Sequence, residues 1–97
     1  TNHSHDKIPN MSDARYFADA DLAILGKSSE RYQEYVSDIR YEFSWAPKPI
    51  FKVGRAKVMQ GFLDRKYLYY TKHFRDLYEI QARKNIAAEI KLLTKDL

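Results

Sequence analysis

From Ser12 onward, apolar side chains recur every three or four positions and never alternate, which is the spacing of amphipathic helices and not of strands. Ser12 reads as a helix N-cap, with Asp13 beside the positive end of the helix dipole. That first helix is expected to run through Arg15, Phe17, Asp21 and Ile24 and to stop at Gly26, acting as a left-handed cap. Ser28 or Ser29 caps a second helix, whose positions Tyr32, Tyr35, Val36, Ile39 and Phe43 form one buried face. The Trp45-Ala46-Pro47-Lys48-Pro49 run ends it, because proline lacks the amide and restricts the residue before it. A third helix is predicted from Pro49 or Ile50 to near Leu63, with Phe51, Val58, Met59, Phe62 and Leu63 inward and with Gly54 and Gly61 weakening it. A tyrosine-rich linker, residues 64–70, leads to Thr71 as cap of a long last helix. Its stripe is Phe74, Leu77, Tyr78, Gln81, Ile86, Ile90 and Leu93. Residues 1–11 read as a loop or disordered lead-in and residues 12–97 as an all-α unit of about four helices.

Composition narrows this picture without changing it. A chain of 97 residues is enough for one small domain with a modest core. The absence of cysteine excludes disulfide frameworks, zinc fingers and cysteine nucleophiles, and fits a cytoplasmic location. No apolar run approaches the roughly 20 residues that span a bilayer, so no membrane partner is expected. The opening at Thr1 in place of Met suggests a processed, cleaved or truncated product. The net charge of +4 is unevenly spread, −3 over residues 1–46 and +7 over residues 47–97. Lys and Arg alternate with acids at helical spacing, which describes a solvated helix surface better than a phosphate-binding face. The interleaved RKYLYYTKHFR segment (65–75) could stack on bases, but at this spacing its tyrosines suit a core with wet hydroxyls, so nucleic acid is the least favoured partner.

Chemistry-bearing residues are few. Phe17, Ala20 and Ile24 share a helical face; Asp21 falls beside it, and Asp19 lies about 200° away from Asp21. An inward carboxylate requires a cation or a metal, so Asp21 ranks ahead of Asp19 as a ligand; pairing with Arg40 or Arg55 is the structural alternative. His3, His5 and Asp6 form a local HSHD cluster without evident ordered support, and His73 has no evident acidic partner. No phosphate loop, nucleophile–base pattern or clear catalytic carboxylate pair is present.

Four segments nevertheless resemble, in order, a group of predicted metal-dependent phosphohydrolases of the HD superfamily. They are FADADLAILG (17–26), RYQEYVSDIRYEFSWAP (31–47), VGRAKVMQGFL (53–63) and LYYTKHFRDLYEIQARKNIAAEI (68–90). The resemblance implies the carboxy-terminal portion of a larger helical HD-domain-like fold. In that superfamily a histidine, a His-Asp pair and a final Asp hold a divalent metal such as Mn, Mg, Fe, Co, Ni or Zn. By resemblance Asp21 is the final Asp, with Asp19, His3 and His5 as secondary candidates. Arg40 and Arg55 could contact substrate phosphate, but structural pairing with Asp21, Glu42 or Glu34 is the favoured reading of each. The first His and the His-Asp pair have no counterpart here: His5-Asp6 matches the letters but not the helical context. The implied partners are the upstream half of the same protein, a phosphate-ester or nucleotide substrate and a second copy in a homodimer. The alternative is a non-enzymatic helical interaction module.

Overall fold

The computed structural model describes residues 11–95, with side chains from residue 13. Helix α1 (Met11–Asp21) is followed by a 3₁₀ turn (Ala23–Gly26), α2 (Ser29–Glu42) and α3 (Lys48–Leu63). After an irregular segment, α4 (Lys72–Phe74), a π-helical turn (Arg75–Glu79) and α5 (Ile80–Thr94) continue into one another as a single long helix. The architecture is all-α, and no strand occurs among the described residues. No helix among them is long and apolar enough to cross a membrane.

The helix starts follow local chemistry. Ser28 Oγ accepts a hydrogen bond from Arg31 N at 3.3 Å, and Thr71 Oγ1 accepts one from Phe74 N at 3.3 Å, each satisfying an amide that helix geometry leaves orphaned. Pro47 precedes α3 as its cap, with Pro49 in the first turn, where a missing N–H costs nothing. The first helix departs from expectation at both ends. It begins at Met11, placing Ser12 inside the first turn, and its α geometry ends at Asp21.

The core consists of Leu25, Tyr32, Met59, Leu68, Tyr69, Phe74, Ala82 and Ile86, gathered from the 3₁₀ turn, α2, α3, the 64–71 segment and the long last helix. Of the residues that the sequence pattern places inward on α2, α3 and the last helix, Phe43, Val58 and Leu77 are exposed. Val58 is exposed because α3 turns Met59 toward the core and leaves the adjoining face open. Leu77 is exposed because the π-helical turn breaks the 3.6-residue period of the stripe.

Segment 64–71 is held in place by polar side chains. Glu79 accepts from the amides of Leu68 and Tyr69, and Arg83 donates to the carbonyls of Leu63, Arg65 and Lys66 while pairing with Glu79 at 2.7 Å. Arg75 donates to the carbonyls of Tyr69 and Tyr70. A buried irregular backbone cannot bond to water, so these arginines and carboxylates supply the partners that allow Leu68 and Tyr69 to be buried.

Gly26 is buried but has no left-handed conformation; no described residue has a positive φ of that kind. Its glycine is needed for space. A Cβ there would overlap Tyr78 Cβ and come within 2.9 Å of the Tyr78 carbonyl oxygen. Gly26→Ala is therefore expected to lower stability by about 1–3 kcal/mol through overpacking, although alanine is the better helix former. Thermal melting checks this, and an unchanged or raised midpoint would mean that the contact relaxes freely.

Candidate functional site

The two carboxylates at the end of α1 have opposite environments. Asp19 is fully buried, and both its oxygens are engaged: Oδ1 accepts from Tyr70 N at 2.7 Å, and Oδ2 accepts from Thr71 N at 2.8 Å and Thr71 Oγ1 at 2.7 Å. Thr71 thus passes the link on, since the same hydroxyl oxygen caps the last helix. Asp21 is exposed and forms no hydrogen bond or ion pair among the described residues. This reverses the expected facing. Tyr16, itself 54% exposed, meets Phe74 edge-on with ring centroids 5.4 Å apart, Phe17 is exposed, and the 3₁₀ turn takes Ile24 out of phase with Phe17.

Asp21 is the last residue of α1, at the negative end of the helix dipole, and the last turn contains no basic side chain. A carboxylate there is repelled by the terminal carbonyls unless a cation answers it. Phe17, one turn earlier, is 61% exposed. The outer face of α1 therefore combines an uncompensated negative charge with an uncovered aromatic ring.

The two arginines expected near Asp21 are elsewhere. Arg40 donates to the Phe43 carbonyl at 3.1 Å and lies over the Phe51 ring at 4.7 Å, so it closes the end of α2 and does not pair with Glu34 or Glu42. Arg55 meets Glu89 on α5 through Nε–Oε2 at 2.7 Å and Nη2–Oε1 at 3.1 Å, with Tyr35 Oη at 3.3 Å. The Tyr32 hydroxyl donates to Glu89 Oε1, the oxygen that Arg55 Nη2 also reaches. Burial, then the bond to Glu89, pushes the Tyr32 phenol well above its usual range. Burial opposes the Arg55 charge, but the bonds to Glu89 and Tyr35 outweigh it and raise its pKa overall. Tyr32, Glu89, Arg55 and Tyr35 thus form one network in which the Glu89 carboxylate is the shared acceptor for Tyr32 and Arg55 and Tyr35 accepts from Arg55.

Asn85 donates to the carbonyls of Leu25 and Lys27, tying the 3₁₀ turn to α5. Within the 68–90 segment, Ala82, Arg83, Asn85, Ile86 and Glu89 all have structural roles: two are buried apolar and three satisfy buried polar groups. The helical spacing that marked Ile86 as inward also marks Asn85 and Glu89, and that signal was available in the sequence.

His3, His5 and Asp6 lie outside the described residues. His73 is exposed, edge-on to Phe74. No group of three metal-ligating side chains occurs among the described residues. Arg75 covers Tyr67 at 4.2 Å and Arg65 covers Tyr70 at 5.5 Å, so one face of each exposed tyrosine in the 65–75 segment is taken by the chain's own cations. No family model, no curated protein and no solved structure matches the chain.

Proposed function

We propose that this chain is the carboxy-terminal helical part of a metal-dependent phosphohydrolase of the HD type, in which Asp21 contributes one oxygen ligand to a divalent cation. The observation that carries this reading is the contrast within α1: Asp19 is buried with both oxygens bonded to Tyr70 and Thr71, whereas Asp21 is exposed at a helix end whose last turn has no basic side chain, and it forms no hydrogen bond or ion pair among the described residues. Sites that break a local stability rule without compensation are where function is to be sought. The other ligands come from an upstream half of the same protein, which also covers Phe17. The cation, when bound, makes nearby water more acidic and neutralises charge on a phosphate ester. Arg55, held by Glu89 and Tyr35, and Arg40, held by the Phe43 carbonyl, support the pocket wall.

Titration of Mn²⁺ into the chain joined to its upstream half tests the reading. Asp21→Ala is expected to weaken binding by at least about tenfold with an unchanged melting temperature. Asp19→Asn is expected to lower the melting temperature first. Equal Mn²⁺ affinity with and without the Asp21 carboxylate removes the proposal.

A further inference from the structure

The outward face of α3 carries a second message, independent of Asp21. Ile50, Val53, Gly54, Lys57, Val58 and Gly61 follow the i, i+3, i+4 spacing of a helix seam, yet all six are exposed, Ile50 at 66% and Val58 at 55%. A Cβ added at Gly54 or Gly61 would meet nothing within 4 Å, so both glycines face open space. Ile50, Gly54 and Val58 of this seam, with Phe51 and Arg55, form one wall of an open apolar groove of about 430 Å³, whose other wall is Ile39, Phe43 and Ala46.

The seam is complementary to its own reverse. Turned end for end about the point between Arg55 and Ala56, Ile50 falls opposite Gly61, Val53 opposite Val58 and Lys57 opposite Gly54. Each larger side chain meets a glycine or an equal, which is the condition for an isologous contact. Charge points the same way. Helix α3 has no acidic residue; Lys48 and Lys52 lie on its other flank, lining a separate gap against α5, and the Arg55 charge is answered by Glu89. Lys57 is the cation on the seam itself. Across the groove, Asp38 and Glu42 on α2 directly precede groove-lining Ile39 and Phe43, and both are exposed without a described ion pair.

We propose that the α3 seam is a homodimer contact, two copies packing α3 against α3 antiparallel about a twofold axis, with each Lys57 directed toward the other copy's Asp38 and Glu42. A concave, glycine-floored groove suits a helix better than a flat lipid surface. An unrelated acidic helix would find Lys57 but would lack the reversed match of Ile50 to Gly61.

Sedimentation of the 97-residue chain from micromolar to millimolar concentration is expected to show a monomer–dimer equilibrium. Gly54→Leu is expected to raise the dimer dissociation constant at least about tenfold while circular dichroism shows the fold intact, because nothing in the single chain opposes the added side chain. Val53→Glu is expected to do the same by charge. Because the chain has no cysteine, Val53→Cys and Val58→Cys chains can be mixed under mild oxidation. They should cross-link to each other in preference to themselves, since positions 53 and 58 meet only across the axis. A monomer at all concentrations, a dimer indifferent to both substitutions, or preferential Val53→Cys self-linkage overturns the proposal. Mn²⁺ affinity is read separately, so failure here leaves the Asp21 reading standing.

Discussion

Glu89→Ala is expected to lower the unfolding free energy by about 3–5 kcal/mol, among the largest losses any single side chain here can produce. The pair it breaks is desolvated on both sides, with Arg55 10% and Glu89 5% exposed. Removing the carboxylate leaves the guanidinium buried without a counter-charge and leaves the Tyr32 hydroxyl without its acceptor. Truncation therefore costs much more than the pair contributes when intact, because formation of the pair already carried the desolvation of both charges. It follows that Glu89→Leu combined with Arg55→Met should recover most of the loss, since the orphaned charge disappears together with its partner. Urea denaturation of the single and double variants measures both effects. A Glu89→Ala loss below about 1 kcal/mol, the range of exposed ion pairs, would show that water reaches this network.

Asp19→Ala is expected to cost about 3–4 kcal/mol, for a different reason. Three donors converge on one carboxylate, two of them amides of an irregular segment, and alanine leaves them facing an apolar space. A small domain holds only about 5–10 kcal/mol in reserve, so this variant should be marginal at ordinary temperature. The damage should be local at first. Amides of Tyr70 and Thr71 should exchange with solvent fastest, followed by α1, while those of α3 and α5 near Glu89 remain protected. Asp19→Asn keeps the shape but turns an amide donor toward another donor, and about half the loss is expected. Uniform loss of protection across the chain would argue that the molecule unfolds as a single unit.

Much of the fold could be read from apolar spacing and from the residues that interrupt it. Ser28 and Thr71 announce helix starts because a hydroxyl positioned there satisfies an amide, and Pro47 with Pro49 fixes where α2 gives way to α3. The misread face of α1 has a specific cause. Phe17, Ala20 and Ile24 share a side only if one regular helix continues past Asp21, and the chain instead tightens to a 3₁₀ turn. With the phase lost, Asp19 turns inward, while Phe17 and Asp21 turn out. Gly26 misled in a similar way: its role is decided by Tyr78, more than fifty positions later in the chain, and no local pattern encodes a contact at that distance. The ion pair between Arg55 and Glu89 was hidden for the same reason, although Glu89 itself lies in phase with Ile86.

The π-helical turn at Arg75–Glu79 sets the length of the chain between two anchors. Upstream, Thr71 is tied to Asp19; downstream, Asn85 is tied to the backbone of Leu25 and Lys27. Within an ordinary helix each residue advances about 100°, so deleting one residue here would rotate the upstream anchor by that angle relative to the downstream one. Phe74 could then enter the interior only if Glu79 swung away from the Leu68 and Tyr69 amides. A local irregularity thereby acts as a vernier, making the spacing between these anchors intolerant of single-residue insertion or loss where the surface composition alone would suggest tolerance.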